Sequence, residues 1–302
     1  MTAIELTNLY KYFGKTPALL EANLTVDEGE FFGFVGPNGS GKSTTLRILM
    51  HYLKPSSGSA RIFGMDCIKK SVQIKRMVGY VPSDLDFGLN MKAIDVILTA
   101  AKLRKNVDRA AIHELCELFE VEENRYVSKM SLGNRKKIAL VLALYARPRL
   151  LLLDEATVGL DPVVRRRFCD YLREENKKGT TVFFSTHNMN EVQDLCGRMA
   201  VIRKGSILET TPLTDLSSDA SRRVSIRTDD DLSALFALFG IKHVRASNGY
   251  LTFRFAHPID RLIQALANYH IDDLQIGRPS LEDAIVHFYE KEAEKEKEAG
   301  LQ

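Results

Sequence analysis

Gly36-Pro37-Asn38-Gly39-Ser40-Gly41-Lys42-Ser43-Thr44 has the spacing G-x-x-x-x-G-K-[ST], and its reading decides the fold. Glycines let successive backbone N–H groups turn inward around phosphate oxygens with no Cβ in the way, and a helix that starts there adds its positive end. Lys42 is then placed to reach the β and γ phosphates of a nucleotide, and the Ser43 hydroxyl to ligate Mg²⁺. The surroundings agree. The apolar run Phe31 to Val35 predicts a strand before the loop, and 44–53 predicts a helix after it.

Such a loop needs a second element to hold the metal and activate water. Leu150-Leu151-Leu152-Leu153-Asp154-Glu155 supplies it: a buried strand ends in two carboxylates at the sheet's carboxyl edge. There Asp154 is positioned to hold Mg²⁺ through water and Glu155 to act as general base beside the γ phosphate. Further short apolar runs at 77–81, 181–184 and 199–202 predict strands that alternate with helices, the pattern of a parallel sheet covered on both faces. Between the strands at 77–81 and 150–153 lies a long helical interval. Its Ile94, Ile97, Leu98 and Ala101, then Ile112, Leu115, Cys116 and Phe119, recur at three- and four-residue spacing, so each helix has one apolar stripe. The interval reads as a helical subdomain, about 84–147, inserted into an α/β core.

Working outward, the grammar changes near Thr211-Pro212-Leu213-Thr214-Asp215, a linker of small polar residues. The predicted domains are 1–215 and 216–302. Charge divides with them: the first holds 31 Lys and Arg against 25 Asp and Glu, the second 11 against 14. Strands at 223–227, 242–246, 250–255 and 271–277 and helices at 231–239 and 259–269 give the order βαββαβ, which fits a small ferredoxin-like sandwich. Asn248-Gly249 between two of these strands predicts a hairpin turn, because both residues tolerate positive φ. The run 290–298, alternating Glu with Lys and Ala, reads as a solvated helix.

The same sequence excludes other classes. At 45% hydrophobic and 27% charged it is too apolar for wholesale disorder, and its richest apolar stretches are broken by Arg147 and Arg149 well short of the roughly 20 residues of a membrane span. No basic start with a long apolar run follows Met1, so a cytoplasmic location is expected. Cys67, Cys116, Cys169 and Cys196 form no C-x-x-C pair and read as reduced packing residues. A net charge of +3 gives no argument for nucleic acid, and none is expected as a partner.

With Gly159-Leu160-Asp161-Pro162 and Ser185-Thr186-His187 added, residues 3–210 resemble the nucleotide-binding subunit of ABC transporters. The resemblance implies a P-loop NTPase core that binds and hydrolyses ATP with Mg²⁺. It makes His187 the switch histidine at the γ phosphate, Asp161 the acid of the loop that communicates between subunits, and Phe13 the aromatic that stacks on adenine, with Tyr12 its neighbour. It also implies a homodimer or heterodimer of ATPase subunits working on separate transmembrane permease subunits, so that the protein is peripheral on the cytoplasmic face of the cell membrane. The family's signature, Leu-Ser-Gly-Gly-Gln, stands here as Met130-Ser131-Leu132-Gly133-Asn134. Ser131, Gly133 and Asn134 are thereby implied to serve ATP held by the opposite subunit, although Leu132 and Asn134 depart from the pattern.

The run Arg135-Lys136-Lys137 after the signature reads as a solvated face. A second departure is Ser83, where the family usually has a Gln that meets Mg²⁺, the lytic water and the helical subdomain. Ser83 is too short for all three, and Asp84 is a candidate to substitute through water. These variations resemble a branch of bacterial export ATPases, as does Pro279-Ser280-Leu281-Glu282-Asp283, which reads equally as a helix cap. A permease helix is expected in a groove beside Ser83 and 84–91. Two other readings stay open: an ATPase of this family that acts on ribosomes or DNA, and an ATP-binding regulator that hardly turns over.

Overall fold

A computed structural model describes residues 1–85, 90–104, 107–214, 222–241, 243–277, 281, 285 and 289. The chain divides into two compact units, Met1–Pro212 and Leu213–Gln302. In the first, strands β1 (Thr2–Phe13), β2 (Thr16–Asp27) and β3 (Phe31–Val35) lead to helix α1 (Lys42–Leu49). Then come β4 (Ser57–Ile62), β5 (Met65–Asp66), α2 (Ser71–Met77) and β6 (Val78–Val81). Helices α3 (Ala93–Leu103), α4 (Arg109–Leu118) and α5 (Leu132–Leu144) follow. The unit finishes with β7 (Leu150–Asp154), α6 (Pro162–Lys177), β8 (Thr181–Thr186), α7 (Met189–Leu195), β9 (Arg198–Arg203) and β10 (Ser206–Pro212).

Two sheets share this unit. The larger has the order β10-β9-β3-β8-β7-β6, parallel from β9 to β6, with β10 antiparallel on its edge. Every residue of β3, β7 and β8 is buried, which is why these strands are continuous apolar runs rather than alternating ones. The smaller sheet, β2-β1-β4-β5, is antiparallel; none of its strands was read from the sequence, nor was β10, whereas the five parallel strands of the larger sheet were. Its β1 and β2 bury alternate residues such as Leu6, Leu24 and Val26 against Phe32, Phe34 and Leu46, forming one core with the parallel sheet.

The predicted helical interval resolves into α3 and α4, whose buried Ile97, Ala101, Ile112, Leu115 and Cys116 lie on the expected stripes. Asp108 caps α4 by accepting from the Ala111 N–H. By contrast α5 is buried almost all round from Lys136 to Leu144, a core helix rather than one with a single apolar face. No helix among the described residues is long and apolar enough to cross a membrane. The four cysteines are free, and all but Cys169 are buried.

In the second unit the strand order is Arg245–Ser247, Tyr250–Phe255, Arg222–Arg227, Asp273–Gly277, antiparallel throughout. Helices Ser233–Phe239 and Ile259–Leu266 supply Leu235, Leu262 and Leu266 to a core with Val224, Ile226, Phe253 and Phe255, giving the ferredoxin-like arrangement. Asn248 and Gly249 have φ of 51° and 79° at the hairpin. The segment Pro279-Ser280, Glu282-Asp283 and the charged run 290–298 lie outside the described residues.

Candidate functional site

The parallel sheet determines where the chemistry sits. Spatially β3, β8, β7 and β6 are consecutive, so their carboxyl ends bring the phosphate loop, His187, Asp154–Glu155 and Ser83 to one edge. The loop's glycines answer two local demands. At Gly36 a Cβ would stand 2.2 Å from the Ile202 carbonyl oxygen of β9, and at Gly41 φ is 113° with a Cβ 2.7 Å from the Ala18 carbonyl oxygen. No other residue fits either place.

Lys42, the first residue of α1, is only 5% exposed. Its Nζ donates to the carbonyls of Gly36 at 2.6 Å and Pro37 at 3.1 Å, and lies 3.7 Å from Glu155 Oε1. Burial pushes its ammonium below the usual lysine pKa, while the carboxylates of Glu155 and Asp154 pull in the opposite direction. Ser43 and Thr44 follow, half-buried, and Pro37, Asn38 and Gly39 are exposed. The Ser40 hydroxyl is buried with no hydrogen-bond partner.

Asp154 is wholly buried at the end of β7. Its Oδ1 accepts from Ser185 Oγ at 3.1 Å, but its Oδ2 is buried with no partner. Leaving a carboxylate oxygen so costs about 1–3 kcal/mol or more, so the site calls for a cation or a donor water. No cluster of three or more His, Cys, Asp or Glu exists among the described residues. That donor set suits Mg²⁺, which protein commonly holds by one or two oxygen side chains with water and substrate phosphates completing the shell. Ser43 and Asp154 are the residues present for it.

Glu155 takes a left-handed turn, φ 48°, directly after the strand. Its N–H donates to the Ser185 carbonyl at 2.9 Å, and its carboxylate Oε1 lies 3.1 Å from His187 Nδ1. His187 itself is half exposed beyond β8. Lys42 and His187 therefore converge on one carboxylate oxygen, beside the partnerless oxygen of Asp154. A carboxylate so flanked can take a proton from water held next to a phosphate, where cations stabilise the charge that develops.

The signature segment opens α5. Ser131 is its N-cap, accepting from the Asn134 N–H at 3.3 Å. Asn134 Nδ2 donates to Glu122 Oε1 at 2.7 Å, and Glu122 is bound in turn by Arg125 at 2.8 Å. Gly133 packs on the loop before α6: a Cβ there would stand 2.4 Å from the Gly159 carbonyl oxygen. Asp161 caps α6 through the Val164 N–H at 2.9 Å and pairs with Lys137 Nζ at 3.2 Å. The Val164 N–H and then Lys137 hold its carboxyl below the usual range. Among the described residues none of Ser131, Gly133 or Asn134 bonds to the phosphate loop of its own chain.

Two expectations are affected here. Arg135-Lys136-Lys137 is not a solvated face: Lys136 is 2% and Lys137 8% exposed, each committed to the loop that follows β7. The signal was in the sequence, since both lysines open the apolar run Ile138 to Leu144, but their partners lie some twenty residues on. Asp84 is already committed to another partner. Its side chain is 86% exposed and paired with Arg47 at 2.9 Å, while Ser83 is half-buried. Phe13, at the end of β1, is half exposed with Lys11 Nζ 5.0 Å from its ring centre, and Tyr12 is also exposed. Its open face is suited to stacking.

A phosphate loop on the central strand, a buried acid and catalytic-type Glu on the second strand over, and an inserted helical segment with a capped Ser-x-Gly define an ATP-binding cassette. Residues 19–158 match the ABC transporter family. The chain is 32% identical over 240 residues to the bacitracin transport ATP-binding protein BcrA of Bacillus licheniformis, with 78% of each protein covered. Over 287 residues it is 27% identical to the ABC transporter ATP-binding protein YhcH of Bacillus subtilis, covering 93% of this chain and 94% of that one. The dimeric cassette MJ0796, in a post-hydrolysis state with ADP and Pi, is similar with a TM-score of 0.63 and 26% identity over 70% of this chain and 98% of its own. The chain belongs to the ABC transporter ATP-binding proteins: it is an ATPase that binds ATP and serves as the ATP-binding subunit of a transporter.

Proposed function

We propose that the chain powers export, as one of two cassette subunits that close head to tail over two ATP molecules and pull on separate permease subunits. The convergence of Lys42 and His187 on Glu155 Oε1, beside the partnerless Asp154 oxygen, carries this reading. Lys42 neutralises the β and γ phosphates, Gly36 to Gly41 wrap them with backbone N–H groups, and Phe13 stacks on the adenine. Ser43 directly and Asp154 through water would hold Mg²⁺, whose charge adds to that of Lys42 on the phosphates. Glu155 orients and deprotonates the attacking water, and His187 faces the γ phosphate.

The second half of each site comes from the partner subunit's signature. Ser131 presents its hydroxyl and N-terminal helix turn, and Gly133 its bare backbone, to the γ phosphate across the interface. The partner is a second copy or a homologous subunit. Relatives named for bacitracin transport and for multidrug transport support the export direction. An open groove of about 360 Å³ lined by Arg47, Tyr52, Tyr80, Pro82, Asp84 and Leu85 supports this reading as the seat for a permease helix, and the proposed assembly is peripheral at the cytoplasmic face of the membrane.

Gly133→Ala tests the composite site. The new Cβ, 2.4 Å from the Gly159 carbonyl oxygen, forces the signature and that loop apart. Because a displacement of about 1 Å can cost on the order of 10²-fold, hydrolysis falls by that order while monomeric ATP binding is unchanged. Light scattering of the Glu155→Gln chain with ATP and Mg²⁺ detects a dimer, and adding Gly133→Ala abolishes it. A hydrolytically active chain that stays monomeric at every ATP concentration would sink the head-to-tail reading. For export, the chain copurified with the membrane protein encoded beside it should show ATPase activity stimulated by that partner; no association rejects the transporter assignment for that pair.

A further inference from the structure

We infer that Lys136 is a positioning residue for Glu155, tying the helix that begins with the signature to the catalytic turn of the same chain. The inference rests on the reading of Glu155 as general base. Glu155 holds φ 48°, a left-handed conformation that costs a non-glycine residue roughly 1–3 kcal/mol and persists only where its surroundings over-determine it. Three contacts do so. Its N–H donates to the Ser185 carbonyl, while its own carbonyl accepts from the Val158 N–H at 3.2 Å and from Lys136 Nζ at 2.6 Å. The last is charge-assisted and the shortest of the three.

Lys136 is almost fully buried in α5, where an ammonium is costly unless paired. Packing alone would be met by an apolar side chain of similar length. What Lys136 adds is a fixed donor aimed at one carbonyl, with the carboxylates of Asp154, Glu155 and Asp84 as the charges acting on it. Five residues separate it from the Ser131 cap, about 7.5 Å along a rigid helix. Any shift of Ser131 as it meets the opposite ATP therefore reaches the Glu155 backbone without passing through a loop. Lys42 and His187 set where the Glu155 carboxylate points; Lys136 sets the backbone from which it points.

Full-length chains carrying Lys136→Met, which keeps length without a donor, and Lys136→Gln, which keeps a donor without charge, test this. Lys136→Met should lower kcat on the order of 10²-fold with ATP affinity unchanged, and Lys136→Gln should recover most of the loss. The deciding readout is the cycle with Glu155→Gln, measured by single-turnover hydrolysis of labelled ATP. If Lys136 acts through Glu155, Lys136→Met in that background costs no more than about twofold, since coupled residues are not additive. Undiminished kcat in Lys136→Met, or an equal fold loss in both backgrounds, overturns the inference. Should Lys136→Met fail to fold, Lys136→Leu, which likewise lacks a donor, replaces it in the same cycle, with the same two overturning results; and should that also fail, Lys136→Gln carries the cycle, an equal fold loss in both backgrounds again overturning the inference. If Glu155→Gln alone keeps full turnover, the base assignment fails; if it loses turnover while the Lys136 variants do not, only the present inference fails.

Discussion

Glu155→Gln lowers steady-state ATP turnover by about 10²–10⁴-fold while leaving ATP binding intact. The amide is nearly isosteric, keeps the left-handed turn and retains an oxygen that can accept from His187 Nδ1 at the 3.1 Å position. What it lacks is the capacity to take a proton from water. Removing the negative charge also relieves Lys42, 3.7 Å away, of a competitor for the phosphates, so affinity for ATP should hold or rise. Equilibrium binding and single-turnover hydrolysis measured on the same preparation decide the matter. Undiminished hydrolysis with normal binding would reject Glu155 as the base and move attention to His187.

Lys42→Ala is expected to fail earlier in the cycle. Its ammonium is the cation at the heart of the phosphate loop, and with it go two hydrogen bonds to the Gly36 and Pro37 carbonyls of that loop. A hydrogen bond to a charged group is worth roughly 1.5–3 kcal/mol, which corresponds to a 10- to 150-fold weaker Kd for ATP. Turnover falls with it, because the same charge stabilises the transferring phosphoryl group. A titration with a fluorescent ATP analogue, alongside a melting curve to verify the fold, reads the effect. Wild-type affinity in a folded Lys42→Ala chain would refute the placement of Lys42 at the phosphates.

How much of this was legible beforehand follows from which interactions are local. β3 and β7 were read because strands buried on both faces must be apolar throughout, and the phosphate loop because its glycines, Lys42 and Ser43 stand within nine consecutive residues, Gly36 and Gly41 each answering a nearby carbonyl. β1, β2, β4 and β5 escaped notice for the opposite reason. Their half-exposed alternation is broken by register shifts between Leu6 and Leu9 and between Thr7 and Tyr10, which scramble the period of two. Partnerships made across the fold were illegible: Ser185 on Asp154, Arg47 on Asp84, Lys136 on Glu155 and Lys137 on Asp161 join residues that are remote in the chain. A buried lysine reads as a surface one until its acceptor is known.

The packing of Gly133 on Gly159, with Lys137 clasping Asp161, has a kinetic meaning. In a head-to-tail pair each signature serves the ATP held by the other subunit, while the loop it rests on begins four residues after its own Glu155. A chain cannot then register its partner's nucleotide without disturbing its own catalytic turn. In the proposed pair the two sites would then behave as one cooperative unit, answering to the joint presence of two ATP molecules rather than to the average occupancy of either site.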